Sequence, residues 1–307
     1  MDSLSRLLAL HPVHATLDKR CRFGTAWEID HSPHAVGVAP YHIVLAGTTW
    51  LSVEGEAPMV LEAGDMLVLP RGQAHRIHGG EAGRALPAQV QTIDTAVPLV
   101  GNGESATDID ILCGEFALRG AARKLLAQAL PDRMLVRTHG RADAARLLAL
   151  VSLLREETGD ARAGSAAVVT HMASALFALF LRAWMEQTTF APGLLALLAD
   201  RRLAPALEAM LAEPGGDCSI ERLAERCHLS RASFLRGFRR IANATPGEVL
   251  AQIRMAQAAT WLREGRLSSG EISERVGYRS EAAFRRAFKR LIGAAPGQYR
   301  REQTAPD

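Results

Sequence analysis

Six residues near the C-terminus recur at a spacing of fifty: Phe234, Arg236, Phe238, Arg240, Pro246 and Gly247 return as Phe284, Arg286, Phe288, Arg290, Pro296 and Gly297. Self-similarity at one fixed period means two copies of one supersecondary unit. Each copy predicts a helix-turn-helix. In the first, residues 220–227 form a short helix with Ser219 as its cap. His228, Leu229 and Ser230 make the turn, and Ser230 caps a second helix over 231–242. In the second copy the short helix spans 271–276 after Ser268, Ser269 and Gly270. A turn one residue longer follows at Gly277, Tyr278 and Arg279, and Ser280 caps the helix 281–292. Gly277 suits a sharp turn because glycine accepts positive φ. Phe234 and Phe238 lie four apart on one helix face, as do Phe284 and Phe288, so each pair anchors its helix in a core.

The opposite faces of these two helices are cationic. One carries Arg236, Arg239 and Arg240; the other carries Arg285, Arg286, Lys289 and Arg290. An anchored helix with a basic outer face is what the major groove of DNA accepts. One helix over 246–263 joins the copies. Pro246 is tolerated in its first turn and Gly265 stops it. Eighteen residues span about 27 Å, which sets the two outer helices roughly one DNA turn, about 34 Å, apart. Charge agrees. Residues 219–302 hold 17 Arg and Lys against 8 Asp and Glu, a net of +9, while the rest of the chain holds 19 against 25. A basic end on an otherwise mildly acidic chain implies an anionic partner.

Residues 219–301, with a helix over 203–211 before them, resemble the double helix-turn-helix domain of the AraC/XylS transcription regulators. The marks are Ile220, Leu223 and Ala224, the run Ser230-Arg-Ala-Ser-Phe-Leu-Arg236, Thr245-Pro246-Gly247, Arg254, Ile272 with Val276-Gly277-Tyr278, Phe284 with Phe288-Lys289, and Ala295-Pro296-Gly297-Gln298-Tyr299-Arg300. Carried over residue by residue, the resemblance implies that Ala232, Leu235 and Arg236 read bases in one groove. Glu281, Ala282, Arg285 and Arg286 do so in the next. Arg239, Arg240, Lys289 and Arg290 are left to hold phosphates, which adds affinity without sequence information.

The N-terminal half has a different texture. Over about 17–118, short apolar runs alternate with Gly, Pro and Asp breaks, which predicts many short strands in a barrel or sandwich; residues 81–107 are rich in Gly, Ala, Pro and Thr, and a long loop is expected over part of them. Gly64, Pro70, Gly72 and His75 fit the spacing G-x5-P-x-G-x2-H. That spacing resembles the second cupin motif, in which the position of His75 carries a ligand in the metal-binding members. The first cupin motif is not legible; His42 is the nearest candidate, and no glutamate follows at its interval. Seven of the ten histidines (His11, His14, His31, His34, His42, His75 and His78) fall within the first eighty residues. We read His42 and His75 as hydrogen-bonded structural residues, the candidates if a metal is held, and assign no cofactor. Cys21 sits among Lys19, Arg20 and Arg22, cations that favour an exposed thiolate. Cys113, in Ile111-Leu112-Cys113-Gly114, reads as a buried strand residue. Together with the first eight residues, Trp27 and the segment around His75, these cysteines resemble the RclR-type, reactive-chlorine-responsive branch of the family. That resemblance implies oxidant sensing by Cys21 and Cys113; the alternative is a barrel that binds a small-molecule or metal effector. Cys218 and Cys227 read as structural.

Beyond residue 120 helical periodicity takes over, with candidates at 121–130, 141–157 and 163–187. The fold class expected is therefore α+β multidomain: a cupin-like β-barrel sensor over 1–120 with a helical hairpin over 121–190 that suits dimerisation, a linker over 191–202, and an all-α double helix-turn-helix domain over 203–302. No basic, apolar and small-residue run marks a signal peptide, and the most apolar stretch, 166–184, is interrupted by Thr170, His171, Ser174 and Arg182. Four cysteines without C-x-x-C spacing form no disulfide framework. A cytoplasmic activator is expected, with double-stranded DNA, RNA polymerase and a second copy of the chain as partners and no membrane. No Ser/His/Asp arrangement, phosphate-cradling loop or carboxylate pair points to an enzyme.

Overall fold

The computed structural model describes residues 2–11, 13–24, 26–79, 89–91, 96–102, 108–118, 130–159 and 162–304. They form two units. One holds residues 13–118 and 130–188; the other holds 2–11 and 189–304.

The chain opens with α1 (Ser3–Leu10), whose N-terminus is capped by the Asp2 carboxylate accepting from the Ser5 amide. Strands follow as β1 (Val13–Phe23), β2 (Trp27–His31), β3 (Val38–Ala46), β4 (Thr48–Ser52), β5 (Met59–Glu62), β6 (Met66–Val68), β7 (His75–Gly79), β8 (Gln89–Gln91), β9 (Leu99–Gly101), β10 (Ile109–Leu118) and β11 (Met134–Val136). They make a seven-stranded sheet in the order β11-β6-β3-β10-β1-β9-β8 and a four-stranded sheet in the order β2-β7-β4-β5. The two sheets share one core, which includes Phe23, Trp27, Val44, Leu51, Leu67, Ile77 and Ile111. Within residues 81–107, part of which was expected as a long loop, lie β8 and β9. The apolar pairs Val90 and Leu99–Val100 are short, but β9 completes its hydrogen bonds by lying parallel to β1. The helix expected over 121–130 lies outside the described residues apart from Leu130.

Helices α2 (Ala145–Glu157) and α3 (Ser165–Gln187) form the hairpin in the same unit. Each helix buries one face. Leu147, Val151 and Leu154 are buried on α2, while Ser152 is exposed. On α3 the buried residues include Val169, Leu176, Phe177, Phe180 and Trp184, leaving Val168 exposed. The reason is tertiary: the outer face of the large sheet offers Phe116, and Phe177 meets its ring edge-on at 4.9 Å. By length and composition α3 is able to cross a membrane, but its most apolar face is the one laid on this sheet.

The helical unit adds α4 (Leu194–Ala199), α5 (Ala204–Ala212), α6 (Ile220–Arg226), α7 (Arg231–Ala242), α8 (Pro246–Glu264), α9 (Ser269–Arg275), α10 (Glu281–Ile292) and α11 (Pro296–Thr304). Half of the expected linker over 191–202 is helix α4. Its Leu195 and Leu197 are buried, because a run of four leucines in six residues finds an apolar surface within reach. Helix α1, assigned above to the sensor, packs in this unit, where Leu10 joins the core of Phe234 and Phe238. A second core surrounds Phe284 and Phe288. Helix α8 serves both cores. Val249, Ile253 and Ala256 face the first, and Met255, Ala258, Ala259 and Leu262 face the second.

Candidate nucleic-acid interface and thiol–histidine core

The two helix-turn-helix copies use the same local devices with small differences. Ser230 and Ser280 cap α7 and α10, accepting from the amides of Ser233 and Ala283. Thr245 with Glu248 and Ser268 with Glu271 form capping boxes on α8 and α9. Ser219 departs from this: its side chain makes no cap bond, and the Asp217 carboxylate accepts from its amide instead. Both turns pass through the left-handed region, at His228 (φ 52°) in the first and Gly277 (φ 77°) in the second. Gly277 also abuts the Gly215 backbone and the Arg254 guanidinium, leaving no room for a side chain. Arg254 fastens α8 there, donating to the Pro214 carbonyl at 2.7 Å and lying over the Tyr278 ring.

All four phenylalanines are fully buried. On the opposite faces Ala232, Arg236, Arg239 and Arg240 of α7 are exposed, as are Glu281, Ala282, Arg285, Arg286, Lys289 and Arg290 of α10. Leu235 is the exception, half-buried and packed on the first core. Among the described residues none of these seven cations is held in an ion pair. Their charge is therefore available to phosphate and base edges, with only Arg236 donating weakly to the Ser233 hydroxyl at 3.5 Å. The connecting helix has nineteen residues, about 28 Å at the standard rise.

In the sheet unit, β1 and β10 pair antiparallel, with Cys21 opposite Ile111 and Cys113 opposite Lys19. The two cysteines thus sit on one diagonal of the same face. That face points into the core, and both are free thiols, Cys21 with no exposure and Cys113 with 4%. Cys21 is not the exposed residue that its cationic neighbours suggested. Strand alternation turns Arg20 outward and Cys21 inward. A hydrogen bond from Cys113 holds the Cys21 thiol below its ordinary range, aided by the Lys19 charge and opposed by burial. The same contact and burial push Cys113 well up. Next to it, Gly114 permits the close approach of β1: a Cβ there would collide with the Thr16 carbonyl and the Tyr41 ring.

Arg20, on the outer face, is buried and forms a two-pronged pair with Asp110, Nε to Oδ1 at 2.9 Å and Nη2 to Oδ2 at 2.6 Å. Its Nη1 donates to the Arg155 carbonyl at 3.0 Å, in the last turn of α2. The residue beside Cys21 therefore caps a helix of the hairpin. An Arg20→Ala variant leaves Asp110 buried without its partner and is expected to lose about 3–5 kcal/mol of unfolding free energy, read by chemical denaturation.

Three histidines converge beside the thiols. His31 on β2 stands opposite His75 on β7, and the rings stack at 4.5 Å. His42, on β3 of the other sheet, brings Nε2 to 2.9 Å from His75 Nε2 and Nδ1 to 3.2 Å from Cys113 Sγ. His75 Nδ1 donates to the Gln73 carbonyl at 2.9 Å. Its Nε2 is then a lone pair that accepts from His42. The single proton of Cys113 serves either His42 Nδ1 or Cys21. Burial keeps the three imidazoles uncharged: it lowers His75, lowers His42 far below 6.5, and brings His31 to about 3. His31 was missed in the sequence; its only signal was a place on a short strand without a legible partner. Cys218 and Cys227 lie at the first helical core, their thiols pushed up by burial.

A family model described as Cupin matches residues 2–186, and one described as Helix-turn-helix domain matches residues 223–302. An HTH-type transcriptional regulator of Haemophilus influenzae is 32% identical, covering 98% of this chain and 99% of its own. The RCS-specific HTH-type transcriptional activator RclR of Escherichia coli is 30% identical over the whole of both chains. This chain belongs to the AraC family of transcription regulators. As an AraC-type regulator with a cupin domain it is a sequence-specific binder of double-stranded DNA. Another relative, the HTH-type transcriptional regulator MtrA of Neisseria gonorrhoeae, is also 30% identical, covering 98% of this chain and 99% of its own. Family membership fixes the kind of partner, double-stranded DNA. It does not by itself choose a signal.

Proposed function

We propose that this regulator is a transcription activator switched by oxidants through Cys21 and Cys113. The observation that carries the proposal is the thiol pair itself: two free cysteines, both buried, on one diagonal of neighbouring paired strands. The relative from Escherichia coli is by name specific for RCS, reactive chlorine species. The chemistry balances with hypochlorous acid. The Cys21 thiolate attacks chlorine, giving a sulfenyl chloride and hydroxide. The Cys113 thiol then displaces chloride, forming the disulfide; its proton and the hydroxide make water. A small, neutral oxidant suits thiols sealed in a core, where a charged one pays for desolvation.

Residues on such a strand diagonal lie about 7–8 Å apart at Cα, whereas disulfides span about 4.4–6.8 Å. Closing the bond therefore draws β1 toward β10. Arg20 and Asp110 ride on those two strands and hold the end of α2, so the movement reaches the hairpin. We propose that the hairpin joins two copies of the chain and that the activated form engages RNA polymerase in the cytoplasm. The test is promoter binding and in vitro transcription with the reduced and hypochlorite-treated full chain. Equal transcription by both forms overturns the proposal.

On DNA, Arg236 and Arg286 are assigned to guanine edges, and Arg239, Arg240, Lys289 and Arg290 to phosphates. Arg236→Ala and Arg286→Ala are each expected to cost about 1–3 kcal/mol of discrimination at one base position. Lys289→Ala should weaken all sequences alike and reduce the salt slope by about one. Binding-site selection from a random library checks this; mutants that return the wild-type motif contradict it.

A further inference from the structure

We infer that Arg254 and the Gly215–Gly277 contact determine the half-site spacing this regulator accepts, because they lock its two helix-turn-helix copies into one rigid reader. The inference rests on α7 and α10 being the groove readers assigned above. The copies have separate cores, joined covalently through α8. Among the described residues no other helix of one copy packs broadly on a helix of the other. A single connection lets two small bodies pivot. Here a second connection forms. The segment 213–218, between α5 and α6 of the first copy, reaches the end of α9 and the turn of the second. A Cβ on Gly215 would collide with the Arg275 carbonyl and stand 3.3 Å from the Gly277 amide nitrogen. A Cβ on Gly277 would stand 2.9 Å from the Gly215 carbonyl oxygen. Two backbones therefore meet with no side chain between them.

Arg254 pins this contact. It lies on α8 where the cores change over, between Ile253 of the first and Met255 of the second. Its Nε donates to the Pro214 carbonyl at 2.7 Å, and its guanidinium carbon lies 5.8 Å from the centre of the Tyr278 ring. One side chain thus touches the loop of the first copy and the turn of the second from the helix that joins them. An open cavity lined by Ala212, Gln257 and Trp261 runs beside the contact, so the second connection is narrow and a point substitution can release it.

DNA makes such rigidity measurable. One base pair more or less between half-sites displaces the second groove by about 3.4 Å and turns it by about 35° around the duplex axis. A locked pair of helices meets that change only by deforming the DNA or giving up contacts, whereas a released pair follows it by pivoting. Gly215 is the cleaner probe of the two glycines. Gly277 also needs glycine for its φ of 77°. Gly215 has no left-handed φ, so its missing side chain serves the close approach alone.

The test is binding-site selection from a random library with the full chain, then affinity measurements on the selected site with its two blocks moved apart or together by one base pair. The wild type should return two blocks at one separation and lose roughly 10-fold in affinity on either shifted site. Arg254→Ala and Gly215→Ala should return the same two blocks, with the spacing penalty reduced to about 2–3-fold. Arg254→Lys keeps a donor for Pro214 but loses the planar group over Tyr278, and should fall between. Gly216→Ala, whose Cβ would meet only Glu213 of its own loop, should match the wild type. Melting curves identify the folded variants; if Arg254→Ala fails to fold, Gly215→Ala and Arg254→Lys decide. A wild-type motif of a single block fails the groove-reader assignment and the spacing role with it. Two blocks with an undiminished spacing penalty in the folded variants, or equal relaxation by Gly216→Ala, overturn the spacing role alone.

Discussion

A Cys21→Ser variant is expected to keep the promoter preference of the reduced protein and to lose its response to hypochlorous acid. In the wild type, one oxidising equivalent should remove the mass of two hydrogens and convert both thiols to a disulfide. In the variant, Cys113 has no neighbouring thiolate to initiate the reaction, and its own thiol is held protonated by burial. Transcription in vitro, before and after titration with hypochlorite, should rise for the wild type and stay flat for the variant. Because serine is nearly isosteric, the core around Phe23 and Ile111 is preserved, and a melting curve close to wild type is part of the expected result. Full induction of a folded Cys21→Ser protein would end the case for this thiol as the sensor.

The second large effect concerns the anchor of the distal recognition helix. Phe284 is fully buried among Phe288, Tyr278, Val276 and Leu262. Phe284→Ala should cost about 3–5 kcal/mol, combining lost transfer free energy with a cavity. The second core is small and draws only on α8 to α11, so much of that loss falls on its own stability. The first core does not contain Phe284, and α7 should still dock. The expected outcome is a DNA footprint reduced to a single groove, with specific affinity lowered far more than nonspecific affinity. Footprinting together with chemical denaturation reads both effects. A full-length footprint at wild-type affinity would show that α10 is not held in place by this packing.

Much of the DNA-binding half was legible because its signals are local. A helix declares itself through residues three and four apart, and its ends through caps within one turn. Phe234 with Phe238, Ser230 ahead of α7 and Thr245 with Glu248 all lie within a few positions of their partners. Where such signals were weak, the expectation slipped. The segment 191–202 carried Pro192 and Gly193 and suggested a linker, yet the leucines of α4 gained more by burial. The hairpin periodicity was visible, but which face α2 and α3 bury depends on where Phe116 and its neighbours stand on the sheet.

The amino-acid sequence alone determined that two similar helical units present arginine-rich faces on a common connecting helix, since each step rests on contacts within a turn or two of chain. Only tertiary structure decided what the sensor contains. Cys113 meets His42 across 71 positions, and His42 meets His75 across 33. Those meetings depend on strand register and on two sheets closing over one core. A strand displaced by a single residue would turn each of these side chains to the opposite face. Nothing in the local sequence records that register, and the thiol pair and the histidine cluster exist only because the folded sheets supply it.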